Sequence, residues 1–543
     1  MAYIALMAVL MSVCSWLSIP AAVPFTMQTY AVFTALLLLG GKRGTIAVAV
    51  YIALGAVGLP VFSGFVGGVG KLMGPTGGYI IGFVFTALVY WLLEKSLGKR
   101  LWGRLVALAL GLIVCYAFGT VWFVQVYSAT KPMSYATALG ICVFPFLLPD
   151  AAKLALAVSA VASLSLLAYC KYADFFIGNF NAVTGLSIPL LKVALPVGIS
   201  FYTFQILSYV IDVYRGDVPA QRNFIDLAMY VAMFPQLIAG PIVRYSDIAG
   251  SLKNRKTTLA DASEGIKRFS IGLAKKILLA NSAALLVSEF KAYDEKTVLF
   301  YWLYAAAYML HIYFDFSGYS DMAIGLGRIF GFRFSENFNY PYISSSITEF
   351  WRRWHISLGS WFRDYLYIPL GGNRVKPRRH IFNILVVWAA TGFWHGASWN
   401  FILWGLLYAL LLLFEKYILH PKRRHAVVMH IYTMLFVMLG FVLFDSASIA
   451  DAFMSFKSLF GLAGIPAANT ASLYYLKSNL VLLIIAALGA TPLPKRIYEK
   501  IGGTAGGSRV LTVLTPIATV ASIAVCTAYL IDGSFNPFVY FRF

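Results

Sequence analysis

The chain has 543 residues, of which 60% are hydrophobic and 12% charged, and its mean hydropathy is +0.77. Soluble domains carry about 25% charged residues, so this composition excludes an ordinary soluble protein. Apolar runs of about 20 residues, which suffice to cross about 30 Å of hydrocarbon, recur along the whole length. They predict an all-α polytopic membrane protein with roughly fourteen to seventeen spans.

The net charge of +21 does not indicate nucleic-acid binding, because no DNA- or RNA-binding motif accompanies it. Lysine and arginine cluster instead in short loops, at residues 42–43, 95–104, 374–379, 422–424 and 495–500. Such clusters are typical of cytoplasmic loops and attract anionic lipid. The excess of positive charge therefore predicts that these loops lie on the cytoplasmic side of a membrane.

The first part of the chain alternates apolar segments with loops rich in glycine and proline. Residues 1–17 lack a basic leader, so we expect them to form a retained helix, not a cleaved signal peptide. Glycines in the loop at residues 63–79 are too frequent for a continuous helix, and irregular backbone at membrane depth must be buried or line a cavity. This loop is either a ligand-binding wall or a flexible interfacial segment. Helices are predicted near residues 29–40, 45–62, 78–92, 105–127 and 136–148.

Four short motifs occur in a distinctive order in this part: VPFTMQT at 23–29, GLPVF at 58–62, GPTGGY at 74–79 and FPFLLPDAAK at 144–153. Together they resemble the BioY family, the substrate-binding S components of energy-coupling-factor biotin transporters. The resemblance implies a six-helix bundle over residues 1–156 that binds biotin. It also implies docking on a transmembrane T subunit driven by separate ATPases, since the chain carries no Walker loop.

Asp150 and Lys153 belong to the last of these motifs and lie three residues apart, so they share a helix face. A carboxylate accepts hydrogen bonds from ureido N–H groups, and an ammonium group donates to a ureido carbonyl or attracts a valerate carboxylate. By the resemblance, both residues are predicted to bind biotin. The alternative is an interfacial ion pair that only neutralises itself.

From about residue 157 a second set of motifs begins: LPVGISFYTFQ at 195–205, FPQLIAGPI at 234–242, YFDFSGYSDM at 313–322, EFWRRWH at 349–355 and LGGNR at 370–374. They resemble the membrane-bound O-acyltransferase (MBOAT) family, in its alginate O-acetyltransferase-like branch. The resemblance implies a multi-helix fold over residues 157–543 in a bacterial cytoplasmic membrane. It implies transfer of an acetyl group from a cytoplasmic thioester, acetyl-CoA or an acyl carrier, toward an exported polysaccharide, with a separate extracytoplasmic acyltransferase as partner.

By the resemblance, the first helices of that family are expected to be missing here, with BioY-like sequence in their place and no flexible linker between the parts. The join near residue 156 is either a true fusion or two joined reading frames. Three interpretations follow: membrane O-acylation by residues 157–543; biotin uptake by residues 1–156, with the remainder inactive or an artefact; or two modules that are both active and mechanically independent. The motif at residues 536–543 suits the acyltransferase branch, so we expect the chain to end where that family ends.

His395 lies in GFWHG at 392–396, inside an apolar stretch from 384 to 414. An ionisable side chain that deep in a bilayer is costly unless it is paired, so it indicates a functional site. A neutral imidazole suits the base in acyl transfer to a hydroxyl, and Gly392 and Gly396 would let substrate approach the ring. By the resemblance, His395 is the catalytic residue. The alternative is a core histidine bonded to a backbone carbonyl.

His355 ends the motif EFWRRWH, which is predicted to form one helix lying half-sunk in the membrane. Trp351 and His355 are four residues apart and are expected on one face of it. By the resemblance, His355 is a second catalytic residue that orients the donor thioester or stabilises developing charge; the alternative is a structural hydrogen bond.

Asp315 and Asp321 are six residues apart and do not share one straight helix face, and no metal-ligand spacing occurs elsewhere in the sequence, so we expect no metal. No dinucleotide fingerprint stands out either, and we expect no tightly bound cofactor. The two aspartates are predicted instead to cap helices on either side of a break near Gly318.

Overall fold

The computed structural model describes residues 2–16, 18–19, 25–97, 101–128, 132–237, 240–421 and 425–531. The basic cluster at 422–424, the terminal motif at 536–543 and parts of two further motifs, at 23–24 and 238–239, lie outside the described residues. The chain forms two compact units. The first comprises Met1–Leu166, Tyr209–Ala220 and Pro369–Gly371, and the second comprises Leu167–Ser208, Gln221–Ile368 and Gly372–Phe543. The predicted domain boundary at residue 156 stays a prediction.

The first unit is a helical bundle, as predicted. Among its described residues, six helices of eight residues or more accompany one helix of five residues. A two-residue antiparallel pairing joins β1 (Ser18–Ile19) to β2 (Phe25–Thr26). The helices are α1 (Ala2–Trp16), α2 (Gln28–Ala56), α3 (Val69–Met73), α4 (Gly77–Ser96), α5 (Leu101–Ser128), α6 (Tyr135–Cys142) and α7 (Phe144–Leu167).

Helix α2 is interrupted at Gly40, where φ is +72° and only glycine is free of strain. The interruption falls at the last residue of the helix predicted at 29–40, directly before the predicted gap. The Gly41 N–H that follows it donates to Oε2 of Glu94 at 2.7 Å, so a backbone donor exposed by the kink is satisfied. A carboxylate from α4 therefore stabilises the bend in α2.

The second unit is also helical in its described residues. Its helices are α8 (Ala173–Thr184), α9 (Ile199–Arg215), α10 (Phe224–Val231), α11 (Phe234–Leu237), α12 (Tyr245–Asn254), α13 (Leu259–Ala274), α14 (Asn281–Ala292), α15 (Val298–Ile329), α16 (Ile347–Arg353), α17 (Ile356–Phe362), α18 (Pro377–His395), α19 (Trp399–Phe414), α20 (Ala426–Asp445), α21 (Ile449–Leu459), α22 (Thr470–Gly489), α23 (Leu493–Gly502) and α24 (Ala505–Ile531). Wider π-helical turns occur at Ala168–Tyr172, Lys275–Ala280, Arg363–Tyr367 and Glu415–Leu419, and a 3-10 turn at Pro341–Ile343. Helix α9 extends into the segment assigned to the first unit.

Helix α15 is the centre of the second unit, with 32 residues that are buried on nearly every side. It crosses α13 at backbone contact. A Cβ at Gly318 would lie 2.8 Å from the carbonyl oxygen of Gly272, and one at Gly325 would lie 2.6 Å from that of Gly265. Small residues allow membrane helices to approach this closely. Gly318 is therefore a packing residue inside a continuous helix, and the predicted break there is wrong.

The two aspartates of α15 form ion pairs and do not cap helices, so that prediction is also wrong. Asp315 pairs with Lys276, and Asp321 accepts from Nζ of Lys275 at 2.7 Å and from Nη2 of Arg268 at 2.6 Å. Buried carboxylates need such partners because desolvation of an unpaired charge is costly. The sequence spacing gave no sign of these partners because they lie on α13 and the π-helical turn after it.

Nine helical segments in the described residues are long and apolar enough to cross a membrane. The polytopic all-α fold is therefore confirmed, with fewer candidate spans than the roughly fourteen to seventeen expected from apolar length alone. Many apolar stretches that the sequence presents as continuous are divided into helices shorter than the about 20 residues that a span requires. Examples are α10 and α11, with eight and four residues.

Candidate active site

Helix α18 carries His395 as its last residue. The helix begins with Pro377, which suits a first helical position, and the backbone becomes extended at Gly396. A Cβ at Gly392 would lie 2.2 Å from the carbonyl oxygen of Phe401, and one at Gly396 would lie 2.2 Å from the Phe401 ring. The space beside both glycines is therefore filled by α19, contrary to the expectation that they open the His395 ring to substrate.

The His395 side chain is buried, with 5% of its surface exposed, and aromatic rings surround it. Its centroid lies 4.9 Å from the Trp404 ring, 5.0 Å from the Trp394 ring and 5.5 Å from the Phe444 ring, each at a steep interplanar angle. Edge-to-face packing of this kind fixes the plane of the imidazole. A proton-transfer group that must meet a reacting atom needs such fixed geometry.

Lys171 holds the end of α18 in place. Its Nζ donates to the carbonyl oxygens of Trp394 at 2.7 Å and His395 at 3.2 Å, and to Oγ of Ser200 at 3.2 Å. A cation at the C-terminal end of a helix satisfies free carbonyls and opposes the helix dipole. Among the described residues, none of its contacts is a carboxylate. Sequence reasoning missed Lys171, although a lone lysine in an apolar aromatic segment is itself a signal.

The short helix α16, which leads to His355, is anchored by a buried carboxylate. Glu415 is 2% exposed, and its two oxygens accept the backbone N–H groups of Ile347 at 2.5 Å and Thr348 at 2.9 Å. The Thr348 hydroxyl donates to the same carboxylate at 2.7 Å. A negative group at the N-terminus of a helix satisfies free donors and the helix dipole together. Sequence reasoning missed this contact as well.

The motif EFWRRWH does not form one helix. Helix α16 ends at Arg353, and His355 has left-handed backbone angles (φ 45°, ψ 54°) before α17 begins. Trp351 and His355 therefore do not share a helix face, and that prediction is wrong. Within α16, Nη2 of Arg353 lies 2.9 Å from Oε1 of Glu349, an ion pair between residues four apart. A left-handed histidine is strained, and such strain is concentrated at functional sites.

His355 is 2% exposed and hydrogen-bonded through one ring nitrogen. Its Nδ1 lies 3.1 Å from Oδ1 of Asn337, whereas Nε2 has no hydrogen-bonding partner among the described residues. Oδ1 of Asn337 also accepts from Oγ of Ser357 at 2.9 Å, and Nδ2 of Asn337 donates to Oγ of Ser320 at 3.0 Å. Burial lowers the pKa of His355 to about 3, so the ring is neutral near pH 7.

Both predicted catalytic histidines pack against the same indole. The Trp394 ring lies 5.0 Å from the His395 ring and 6.2 Å from the His355 ring, measured between centroids. The fold therefore brings together two imidazoles that are 40 residues apart in the sequence, inside a buried aromatic cluster. The neutral imidazole of His355, whose Nε2 has no hydrogen-bonding partner among the described residues, can take a proton from a hydroxyl group.

Asp150 and Lys153 lie on a recess in the first unit. Nζ of Lys153 is 2.7 Å from Oδ1 of Asp150, and the hydroxyl of Tyr116 donates to the other carboxylate oxygen. The recess encloses about 740 Å³, counting the space at its mouth. The glycine-rich loop contributes polar side chains to it, which favours the ligand-wall interpretation of that loop. The polar lining residues are Thr26, Gln28, Thr29, Ser63, Lys71, Thr76, Tyr79, Cys115, Tyr116, Cys142, Asp150 and Lys153.

Comparison with known families separates the chain into the same two kinds of sequence. Residues 1–168 match the BioY family, and residues 219–444 match the MBOAT, membrane-bound O-acyltransferase family. A crystal structure of the S-component for biotin from an ECF-type ABC transporter is 32% identical in sequence and covers 30% of this chain and 89% of its own, with a TM-score of 0.28.

Two relatives match most of the chain. A probable alginate O-acetylase of Azotobacter vinelandii is 38% identical over 464 residues, covering 79% of this chain and 93% of the relative. That share of the chain exceeds residues 157–543, so the alignment extends upstream of the predicted domain boundary. A peptidoglycan O-acetyltransferase of Helicobacter pylori is 35% identical, covering 71% of this chain and 78% of the relative.

The family match, the relatives and the candidate spans together define a multi-pass membrane enzyme of acyl transfer. The chain belongs to the membrane-bound O-acyltransferase family and carries a BioY-family segment at residues 1–168. Within that family it is similar to probable alginate O-acetylases, and it is a multi-pass protein of the bacterial cytoplasmic membrane.

Proposed function

We propose that this protein moves an acyl group, acetyl in the first instance, from a cytoplasmic thioester across the membrane for O-acylation of an exported cell-surface polysaccharide. The observation that carries the proposal is the convergence of His355 and His395 on the Trp394 indole. The similarity to an alginate O-acetylase and a peptidoglycan O-acetyltransferase supports a polysaccharide as the final acceptor.

The chemistry requires a base, a held donor and exclusion of water. A substrate hydroxyl attacks the thioester carbonyl carbon, the C–S bond breaks, and the hydroxyl proton passes through an imidazole to the departing sulfur. His355 and His395 are the proposed catalytic residues, and Lys171 fixes the turn that carries His395. The donor is acetyl-CoA or an acyl carrier, and a separate extracytoplasmic acyltransferase completes the transfer to the polymer.

The test is the acetyl content of the exported polymer in cells that express the full chain. His355→Ala and His395→Ala should abolish O-acetylation while the amount of protein in the membrane stays unchanged. His425→Ala is the matched control, because this histidine is exposed and lies outside the aromatic cluster. Normal acetylation by both active-site variants would refute the proposal.

A second function, biotin binding by residues 1–156, is favoured by the recess that holds Asp150 and Lys153. Asp150 would accept hydrogen bonds from ureido N–H groups, and Lys153 would donate to the ureido carbonyl or attract the valerate carboxylate. Uptake would require an energy-coupling-factor T subunit and ATPases as partners. The module boundary at residue 156 and the independence of the two modules belong to this proposal.

Calorimetric titration of the purified full chain with biotin tests the second function. Asp150→Ala should abolish high-affinity binding, whereas Lys95→Ala should not, because Lys95 is exposed and does not line the recess. Uptake of labelled biotin by an auxotroph then separates binding from transport. Unchanged affinity of the Asp150→Ala variant would reject the assignment of this residue.

A further inference from the structure

The hydrogen bonds around His355 have a direction that determines which ring nitrogen carries the proton. The Ile242 N–H donates to Oγ of Ser357 at 3.0 Å, so the Ser357 hydroxyl hydrogen is available to Oδ1 of Asn337 at 2.9 Å. The Ser357 N–H also points at Oδ1, at 3.3 Å. An amide oxygen can only accept, so the ring nitrogen of His355 that faces it must be the donor.

The opposite end of the Asn337 amide fixes its orientation. Nδ2 donates to Oγ of Ser320 at 3.0 Å, and a flipped amide would turn its NH2 group toward the Ser357 N–H. That flip would place two donors face to face, which buried amides avoid. The alternative partner for Nδ1 is Oγ of Ser357 at 3.5 Å, longer than the 3.1 Å to Asn337. The network therefore selects Nδ1–H and leaves the lone pair on Nε2.

The second ring nitrogen of His355, Nε2, is positioned to accept a proton. Nε2 of His355 is buried and meets no hydrogen-bonding atom among the described residues, although buried polar groups are nearly always paired. The ring is held at the edge of Phe316, with centroids 4.6 Å apart and an interplanar angle of 82°. The left-handed backbone of His355 is held in place as well, because the N–H of the next residue, Ile356, donates to the carbonyl oxygen of Asn337 at 2.9 Å. Asn337, itself 0% exposed, thus fixes both the ring and the main chain of His355.

We infer that Asn337 is a positioning residue that holds His355 as the Nδ1–H tautomer, so that Nε2 of His355 accepts the proton of the substrate hydroxyl. The inference rests on the proposed acyltransferase function and deepens it. It divides the roles differently from the expectation drawn from the sequence, which made His395 the base. His395, at the end of the helix that Lys171 holds, stays a second proposed catalytic residue.

The proton transfer balances within this assignment. As the hydroxyl oxygen bonds to the thioester carbon, its proton moves to Nε2 of His355, and Asn337 Oδ1 accepts a stronger hydrogen bond from Nδ1–H of the imidazolium. When the C–S bond breaks, the proton leaves Nε2 for the thiolate sulfur. The ester and the free thiol are the products, and His355 returns to its starting tautomer.

The tautomer can be measured directly. Nitrogen-15 NMR of histidine-labelled full-length protein in lipid bilayers distinguishes protonated from unprotonated ring nitrogens, and subtraction of a His355→Gln spectrum assigns this residue among the seven histidines. The expected spectrum has Nδ1 protonated and Nε2 unprotonated near pH 7. The Asn337→Leu variant should lose this single state. A protonated Nε2 in the unaltered protein would overturn the inference.

The functional test uses the pH profile of acyl transfer, with acetyl-CoA as the probe and release of free thiol as the readout. Asn337→Leu should lower kcat by about 100-fold, within the range that a positioned general base contributes. In Asn337→Asp, one carboxylate oxygen still faces Nδ1 of His355. The other carboxylate oxygen accepts a hydrogen bond from the Ser320 hydroxyl, which in the unaltered protein accepts one from Asn337 Nδ2. The carboxylate favours the imidazolium, so the acid limb of the profile should move to higher pH.

Asn339 supplies the matched control, since it lies two residues further on and its side chain is exposed. Asn339→Leu and Asn339→Asp should leave both the rate and the pH profile unchanged. Full activity of Asn337→Leu, or an unshifted profile of Asn337→Asp, would overturn the role of Asn337 alone. Normal acetylation of the polymer by both the His355→Ala and the His395→Ala variants would instead refute the proposed acyltransferase function itself.

Discussion

The Glu415→Gln substitution measures how far the site depends on one buried carboxylate. In the protein, the Glu415 carboxylate accepts the backbone N–H groups of Ile347 and Thr348 and the hydroxyl of Thr348. Glutamine keeps one accepting oxygen and presents NH2 in place of the other. At least one backbone donor in the first turn of α16 then faces another donor.

The cost of this change follows from the contacts that it removes. A buried donor left without an acceptor costs about 1–3 kcal/mol. Loss of the negative charge at the helix N-terminus costs a further about 0.3–1 kcal/mol. The sum, about 1–4 kcal/mol, acts on a helix of seven residues whose next turn carries His355. We expect α16 to shift and acyl transfer to fall by at least about tenfold, because catalysis is sensitive to small misplacements.

Two measurements on the full-length protein check this expectation: the thermal unfolding temperature in detergent and the acetyl content of the exported polymer. Both should fall for Glu415→Gln. Glu264→Gln is the matched control, because Glu264 is 53% exposed and its contact to Lys267 is 4.0 Å long. If Glu415→Gln unfolds and acetylates like the unaltered protein, the carboxylate does not anchor α16 and the reasoning fails.

Three further substitutions test other contacts of the site and its scaffold. Lys171→Met removes the donor to the carbonyl oxygens of Trp394 and His395, so acetylation should fall even where the protein still accumulates in the membrane, as measured by polymer acetyl content and immunoblotting. Gly396→Ala places a methyl group 2.2 Å from the Phe401 ring and should lower the unfolding temperature, since overpacking costs about 1–3 kcal/mol. Gly325→Ala forces α15 away from α13 and should also lower the unfolding temperature, whereas Gly250→Ala, in open space, should not.

The sequence was sufficient to predict the helical membrane fold, and composition alone carried that prediction. It also selected His355 and His395, which the structure brings to one indole. Their roles as catalytic residues stay predictions. Both histidines could be selected because an ionisable side chain in apolar sequence is unusual wherever it occurs.

The supporting contacts could not be predicted, because they join residues far apart in the chain. Lys171 meets carbonyl oxygens 223 and 224 residues away, and Glu415 meets a helix start 67 and 68 residues away. The break at His355 has no glycine or proline to signal it. At Gly318 the sequence predicted a break that the structure does not have. In a sequence, a glycine that permits close contact between helices cannot be distinguished from one that ends a helix.

The Lys171 contacts have a consequence for how the protein is made. During synthesis, Lys171 emerges from the ribosome more than two hundred residues before Trp394 and His395, whose carbonyl oxygens accept its hydrogen bonds. During that interval its ammonium group has no partner from α18, and an unpaired charge is held at the lipid–water boundary by snorkelling. The segment around Lys171 therefore reaches its final depth only after α18 has left the insertion machinery, which makes its burial a late event in biogenesis.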